Sequence, residues 1–137
     1  QTLSVDTTGA IKLGAGTNNI GNVGISPATP HNLNSAATTN ATSVKATAAS
    51  LYSLMASNTG ASIRYLKLYN KASAPTVGTD IPVLTLPIPA GSFINPPLGA
   101  MGVRFATGLA YAITGAAADA DTTAVAAGEV KVKLDYV

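Results

Sequence analysis

The sequence predicts an all-β protein, an antiparallel β-sandwich of the jelly-roll type with an extended N-terminal arm. Apolar and charged residues alternate from Val130 to Tyr136, which is the period of a half-buried strand. The run from Ile63 to Asn70 is rich in aromatic, aliphatic and β-branched residues and predicts a second strong strand. Turn-forming residues separate further short apolar runs, so that about seven or eight strands are expected after residue 40, as in sandwiches and jelly rolls.

The chain divides into an arm and linker over residues 1–40 and a sandwich over residues 41–137. The apolar residues of the arm stand in short pieces among Gly, Thr, Asn and Ser. Such pieces are too short and too glycine-rich to form a stable sheet alone, so we expect them to pair with another subunit or with an edge of the sandwich. Two prolines, Pro27 and Pro30, predict a linker over residues 26–34. The expected contact residues of the arm are Leu3, Val5, Ile11, Leu13, Ile20, Val23 and Ile25.

The first strands of the predicted sandwich lie between residues 41 and 89. A strand is expected over residues 41–49. The runs 51–57 and 63–70 are separated by Asn58-Thr59-Gly60, whose residue types tolerate positive φ, and this predicts a β-hairpin. The run that starts at Val83 contains prolines and should lie at a sheet edge or end at Leu86.

The remaining segments predict the second half of the sandwich. Phe93 is expected to fill one end of the core. The runs 101–105 and 109–113 are joined by three residues that include a glycine, which predicts another hairpin. Residues 115–127 are expected to form a loop with room for one helical turn at most.

The composition excludes several classes of protein. The 137 residues include no cysteine, and only 10% are charged, against roughly 25% in typical soluble domains. So few charges predict a surface that is covered by neighbours in an assembly or is rich in hydroxyls and amides. No basic block and no long apolar run occurs, so neither nucleic-acid binding nor a membrane span is expected. Because the chain begins at Gln1, we expect a lost start or a processed form.

The segment LYSLMASNTGASIRYLKLYNKASAPTVGTDIPVLTLPIPAG, which starts at Leu51, resembles a module of tailed-phage virion proteins. In that module a strand ending in YLKLY is followed by a loop of the form SAPTVGTD and a strand of the PVLT type. The resemblance extends over roughly residues 44–137. It implies a small β-sandwich that serves as a capsid-decorating, fibre or tail structural part. It implies no enzyme and no catalytic residues.

Three groups of residues resemble functional sites, but each has a structural explanation. The glycines between Gly14 and Gly21 lack the remainder of a phosphate-binding motif and are better explained as turns of the arm. His31 has no partner set for a triad or a zinc site, so a surface or contact role is favoured. Asp119 and Asp121 could hold calcium if Asp80 and Glu129 approached them, but a solvated loop is favoured. No cofactor or metal is therefore expected, and the same carboxylates give only a weak case for glycosidase chemistry.

Tyr65, Tyr69 and Asp80 are the candidate ligand residues. The two tyrosines are four residues apart on one strand and share a face, where they could stack on a sugar or pack against a neighbour. The favoured role for the tyrosines is packing at the core or at a subunit contact.

The residues and the resemblance together predict a non-enzymatic structural protein of a virion that is assembled in the bacterial cytoplasm. It would work by oligomeric packing and by strand exchange through its arm, as a homo-oligomer, for which we expect a trimer, and in contact with other virion proteins such as the major capsid protein. The alternative is a receptor-binding module of a tail fibre or spike, which recognises a host glycan through the loops 71–80 or 116–123.

Overall fold

The computed structural model describes residues 3–5, 11–13 and 27–137. Two short strands of the arm, β1 (Leu3–Val5) and β2 (Ile11–Leu13), pair antiparallel. They contain four of the predicted contact residues of the arm. The other three, Ile20, Val23 and Ile25, lie outside the described residues.

Within residues 27–137 the chain forms two antiparallel sheets. The four-stranded sheet has the spatial order β4 (Thr42–Lys45), β10 (Leu109–Thr114), β6 (Arg64–Asn70), β7 (Leu84–Ile88). The five-stranded sheet has the order β3 (Thr29–Asn34), β11 (Val130–Tyr136), β5 (Ala49–Asn58), β8 (Ser92–Ile94), with β9 (Val103–Phe105) paired to the other half of β5.

The pairing is nested. Strand β3 pairs with β11, β4 with β10, β5 with β8 and β9, and β6 with β7. Each of these pairs is therefore enclosed in sequence by the one before it, as in a single long hairpin that is folded into two sheets. This is the jelly-roll arrangement, and the predicted sandwich is confirmed.

One hydrophobic core lies between the sheets. Strand β11 is the clearest case of the predicted alternation: Val130, Val132 and Leu134 are buried in the core, whereas Lys131 and Lys133 are exposed. From the four-stranded sheet, Leu109, Tyr111 and Ile113 and the leucines of β6 enter the same core. Burial of this apolar surface is the main source of stability.

Both predicted hairpins are wrong, because each turn carries the chain from one sheet to the other. Strand β5 belongs to the five-stranded sheet and β6 to the four-stranded sheet. The amide of Asn58 fixes this crossing: its Nδ2 donates to the carbonyl oxygens of Ser62 at 2.8 Å and Ile88 at 3.1 Å, and its Oδ1 accepts from the Gly60 N–H. Strands β9 and β10 are likewise in different sheets.

The segment predicted as a linker forms strand β3 at the edge of the five-stranded sheet. Ser35 donates its N–H to the Val130 carbonyl. By alternation, the N–H groups of residues 29, 31 and 33 also face β11, and positions 30, 32 and 34 face outward. Pro30 therefore occupies a position where no N–H is needed, which explains why a proline is tolerated here. The boundary predicted at residue 41 left out a strand of the sandwich.

The other end of each sheet is also an edge. Strand β7, with Pro87, is the outer strand of the four-stranded sheet, as predicted. On the five-stranded sheet, residues 95–102 interrupt the edge between β8 and β9. Phe93 does not fill the core as predicted, since its side chain is exposed; Phe105 of β9 is buried instead.

Candidate functional site

The outer face of the four-stranded sheet is enclosed. Leu66 and Leu68 of β6 point into the main core, so Tyr65, Lys67 and Tyr69 point to the other side of the sheet. Lys67 is 0% exposed and Tyr69 is 1% exposed. An outer sheet face of a small protein is normally wet, so this burial requires a cover.

The first covering loop comprises residues 71–83. Tyr69 forms a small buried cluster with Ala110 and Ala112 of β10. Val77 of the loop and Ala41 of the segment before β4 pack against this cluster. Asp80 fixes the loop: its carboxylate accepts from the Thr76 N–H at 2.6 Å and from the Lys71 ammonium. These hydrogen bonds lower the pKa of Asp80.

The second covering loop comprises residues 115–124. The ammonium of Lys67 donates to the Ala118 carbonyl oxygen at 2.6 Å, so a buried strand residue is bonded directly to this loop. Asp121 accepts from the N–H groups of Ala116 and Thr123 and from the Thr123 hydroxyl. The carboxylate of Asp121 therefore organises the loop from within.

The two covering loops meet at Gly78. This glycine has φ +86°, and a Cβ atom there would lie 2.7 Å from Thr122 Cγ2 and 3.2 Å from the Ala120 carbonyl oxygen. Only a glycine combines this backbone conformation with so close an approach. The loops thus form one continuous cover over β6.

The hydroxyl of Tyr69 is buried beneath this cover and has no hydrogen-bond partner among the described residues. Burial raises its pKa, and the negative charges of Asp80 and Asp119 raise it further. The structure therefore brings together two of the three predicted ligand residues, Tyr69 and Asp80. Tyr65 lies on the same face and is partly buried. With its ring enclosed, Tyr69 cannot stack on a sugar in this arrangement.

The acidic residues do not form a metal centre in the described part of the chain, where no group of three or more His, Asp or Glu side chains is close enough to hold an ion. Glu129 does not join the Asp119–Asp121 loop. Its carboxylate pairs with Arg64 at 2.8 Å and accepts from the Ala126 N–H, and the Arg64 hydrogen bond lowers the pKa of Glu129.

His31 faces inward from β3. Its Nε2 lies 3.1 Å from the Tyr111 hydroxyl, and the two rings meet edge to face. Partial burial lowers the pKa of His31. This histidine is therefore a packing residue of the sandwich. The Gly14–Gly21 segment lies outside the described residues.

The outer face of the five-stranded sheet is open. Lys131 and Lys133 of β11 are exposed, and Met55 of β5 is 47% exposed. The register places Lys133 between Asn32 and Met55, and Lys131 between Asn34 and Ser57. Phe93 of β8 lies opposite Ser57 and completes the second row. We call this surface the open face.

A second exposed surface follows the β7/β8 side of the sandwich. Residues 81–103 contain no charged side chain. Several large apolar side chains in this stretch are exposed, namely Met101 (85%), Ile81 (77%), Phe93 (65%), Val83 (59%) and Leu84 (37%). This surface was not among the expectations from the sequence, although the long run without charge is a signal for it.

Comparison of the chain with known protein families, with curated proteins and with solved structures finds no match. Among the residues described, no helix is long and apolar enough to cross a membrane.

Proposed function

We propose that the chain is a non-enzymatic structural protein of a phage virion, a capsid-decorating or fibre component, that works by packing against copies of itself and against other virion proteins such as the major capsid protein. The observation that carries this proposal is the exposed apolar surface of the β7/β8 side. Its side chains belong to a stretch of 23 positions, residues 81–103, without a charge.

Such a surface favours association. Monomeric soluble proteins rarely expose contiguous apolar patches larger than a few hundred Å², and larger ones mark interaction sites. Pro87, on the edge strand of this side, has no N–H to donate, which disfavours strand addition at that position. Side-chain packing is therefore the expected mode of contact here, and strand exchange is left to the N-terminal arm.

Two further observations support a virion part. The jelly roll is an architecture of viral capsid proteins, although it also occurs in lectins and cupins, so the fold alone does not decide the function. The segment starting at Leu51 resembles tailed-phage virion modules, for which a trimer and assembly in the bacterial cytoplasm are the expectations. Its SAPTVGTD loop is the first covering loop, in which Pro75 is buried.

The test is the mass of the full chain in solution, measured by light scattering. We expect an oligomer that dissociates in the double variant Ile81→Asp, Val83→Asp. The matched control is Thr47→Asp, which adds a charge at another exposed position and should leave the mass unchanged. A monomeric wild-type chain at all concentrations would refute the packing mechanism. Mass spectrometry of purified particles tests the virion location.

One observation favours the alternative, a host-glycan receptor-binding module. The unpartnered Tyr69 hydroxyl lies near Asp80, beneath the loops that contain the candidate receptor segments 71–80 and 116–123. Sugar hydroxyls could pair with these groups if the cover opened. Glycan-array binding that is lost in Asp80→Ala and retained in Thr47→Asp would support this function, whereas absence of binding across the array would exclude those glycans as ligands.

A further inference from the structure

The two outer faces of the sandwich are covered unequally. Residues 71–83 and 115–124 enclose the outer face of the four-stranded sheet, where Lys67 and Tyr69 are buried. On the open face of the five-stranded sheet, Met55 and Phe93 remain exposed. Within residues 27–137 no comparable loop of the same copy encloses that face, so a covering segment from this chain would have to come from residues 1–26.

The composition of residues 1–26 suits the open face. Asp6 and Lys12 are their only charges, and isolated Leu, Val and Ile residues alternate with Thr, Asn, Ser and Gly. The open face is similarly mixed, with Met55 and Phe93 beside amides, hydroxyls and two lysines. A segment with no net charge can bury the apolar side chains there, and its polar groups can hydrogen-bond with the amides, hydroxyls and lysines of the face.

The point of entry directs the arm toward this sheet. The arm joins the sandwich at Pro27, directly before β3, the edge strand of the five-stranded sheet. Because β1 and β2 pair with each other, only residues 14–26 can bridge the distance, and they span at most about 45 Å. Four strands at about 4.8 Å spacing are roughly 15–20 Å across, so this reach is sufficient.

We propose that residues 1–26 of one copy lie across the open face of a second copy. This inference rests on the proposed function, for which it names the surface that receives the arm. The covering loops would then protect one outer face within each copy, and the arm would protect the other between copies.

Cysteine cross-linking of the full-length chain tests this proposal, because the protein has no native cysteine. One variant carries Val23→Cys and a second carries Met55→Cys. The two are mixed under oxidising conditions and the products are mapped by mass spectrometry. The matched control replaces Met55→Cys with Ser43→Cys, an exposed position on β4 of the other sheet.

We expect a disulfide between copies for the Val23 and Met55 pair, at least tenfold more abundant than for the Val23 and Ser43 pair. Equal yields for the two pairs would overturn the proposal, and so would a disulfide that forms only within one chain carrying both Val23→Cys and Met55→Cys. Light scattering distinguishes failure of the proposed arm contact from failure of the proposed function. An oligomer without the cross-link refutes the open face as the receiving surface, whereas a monomer refutes the proposed function itself.

Discussion

The outer faces of the two sheets consist of the same kind of alternating strand, but one face is buried and the other is exposed to solvent. On β6, Lys67 and Tyr69 turn away from the core and are buried by loops. On β11, the residues in the equivalent orientation are lysines that remain in water. Lys67 bonds to the Ala118 carbonyl, whereas Lys133 pairs with Asp135 at the surface.

Alternation along a strand therefore defines its inner face but not the environment of its outer face. The enclosed face has a small apolar cluster of its own, formed by Tyr69, Ala110 and Ala112. The open face has its large apolar side chains in contact with solvent. We therefore expect side chains of the enclosed face to contribute to the free energy of unfolding as core residues do. Side chains of the open face should contribute little in the isolated chain.

The largest expected effect comes from truncating Tyr69. We expect Tyr69→Ala to lower the free energy of unfolding by about 3–5 kcal/mol, as for other large buried side chains. Met55→Ala on the open face should cost less than about 0.5 kcal/mol. Urea denaturation of both variants measures the difference, and similar losses would contradict the unequal cover.

A second variant at the same position isolates the hydroxyl. Because the Tyr69 hydroxyl is buried without a partner, Tyr69→Phe should be neutral or stabilising by up to about 1 kcal/mol. A loss of more than 1 kcal/mol would mean that the hydroxyl has a hydrogen-bond partner in solution.

The contact between the covering loops gives the next effect. Gly78→Ala introduces strain at positive φ and a close contact with the second loop, and should cost about 2–3 kcal/mol. Gly91 also has positive φ, but a Cβ atom there would meet nothing within 4 Å. Gly91→Ala should therefore cost only about 1 kcal/mol. Equal midpoints of thermal unfolding for the two variants would show that the loops do not touch.

Removing the buried ammonium should loosen one loop with a smaller effect on global stability. In Lys67→Met, the Ala118 carbonyl loses a charged donor but keeps the Asp121 N–H. We expect amide hydrogen exchange in residues 116–123 to accelerate about tenfold, which corresponds to about 1.4 kcal/mol. Lys133→Met on the open face should leave exchange in those residues unchanged, and equal acceleration in both variants would contradict this assignment.

The smallest effect is an acid response of the first covering loop. Hydrogen bonds from Lys71 and Thr76 lower the pKa of Asp80 below its ordinary 3.8, so the ionised carboxylate stabilises the loop at neutral pH. This stabilisation is complete above the ordinary pKa and is lost as pH falls through the lowered one. Exchange protection in residues 76–80 should therefore decline below about pH 4. Asp80→Asn should show a smaller decline, and an identical pH profile would contradict the role of Asp80.

The sequence allowed the sandwich to be predicted because its strongest signals are local. Alternation from Val130 to Tyr136 is sufficient to define β11 and its buried face. The partner of a strand is not a local property. Asn58 to Gly60 have the composition of a hairpin turn. Asn58 nevertheless donates a hydrogen bond to the distant Ile88 carbonyl, and this bond stabilises a crossing between the sheets.

The enclosed face could be predicted only in part. Tyr65 and Tyr69 were assigned to one face from their spacing. Their cover could not be inferred, because the Lys67 ammonium bonds to Ala118, 51 positions later in the chain. Phe93 shows the converse error: an aromatic side chain favours a core position, but Phe93 lies on an edge strand within a run of residues that has no charge.

The nested pairing also determines when the sandwich can finish folding during synthesis. The strands of the innermost pair, β6 and β7, lie close together in the sequence. In the outermost pair, His31 of β3 lies opposite Leu134 of β11, roughly 100 residues later. Pairing over so long a distance in sequence slows folding. The C-terminal strand therefore has to leave the ribosome before β3 can find its place. Until β11 is available, the edge of β5 that pairs with it is exposed. Strand β3 is therefore made before the other strands of the sandwich and paired after them.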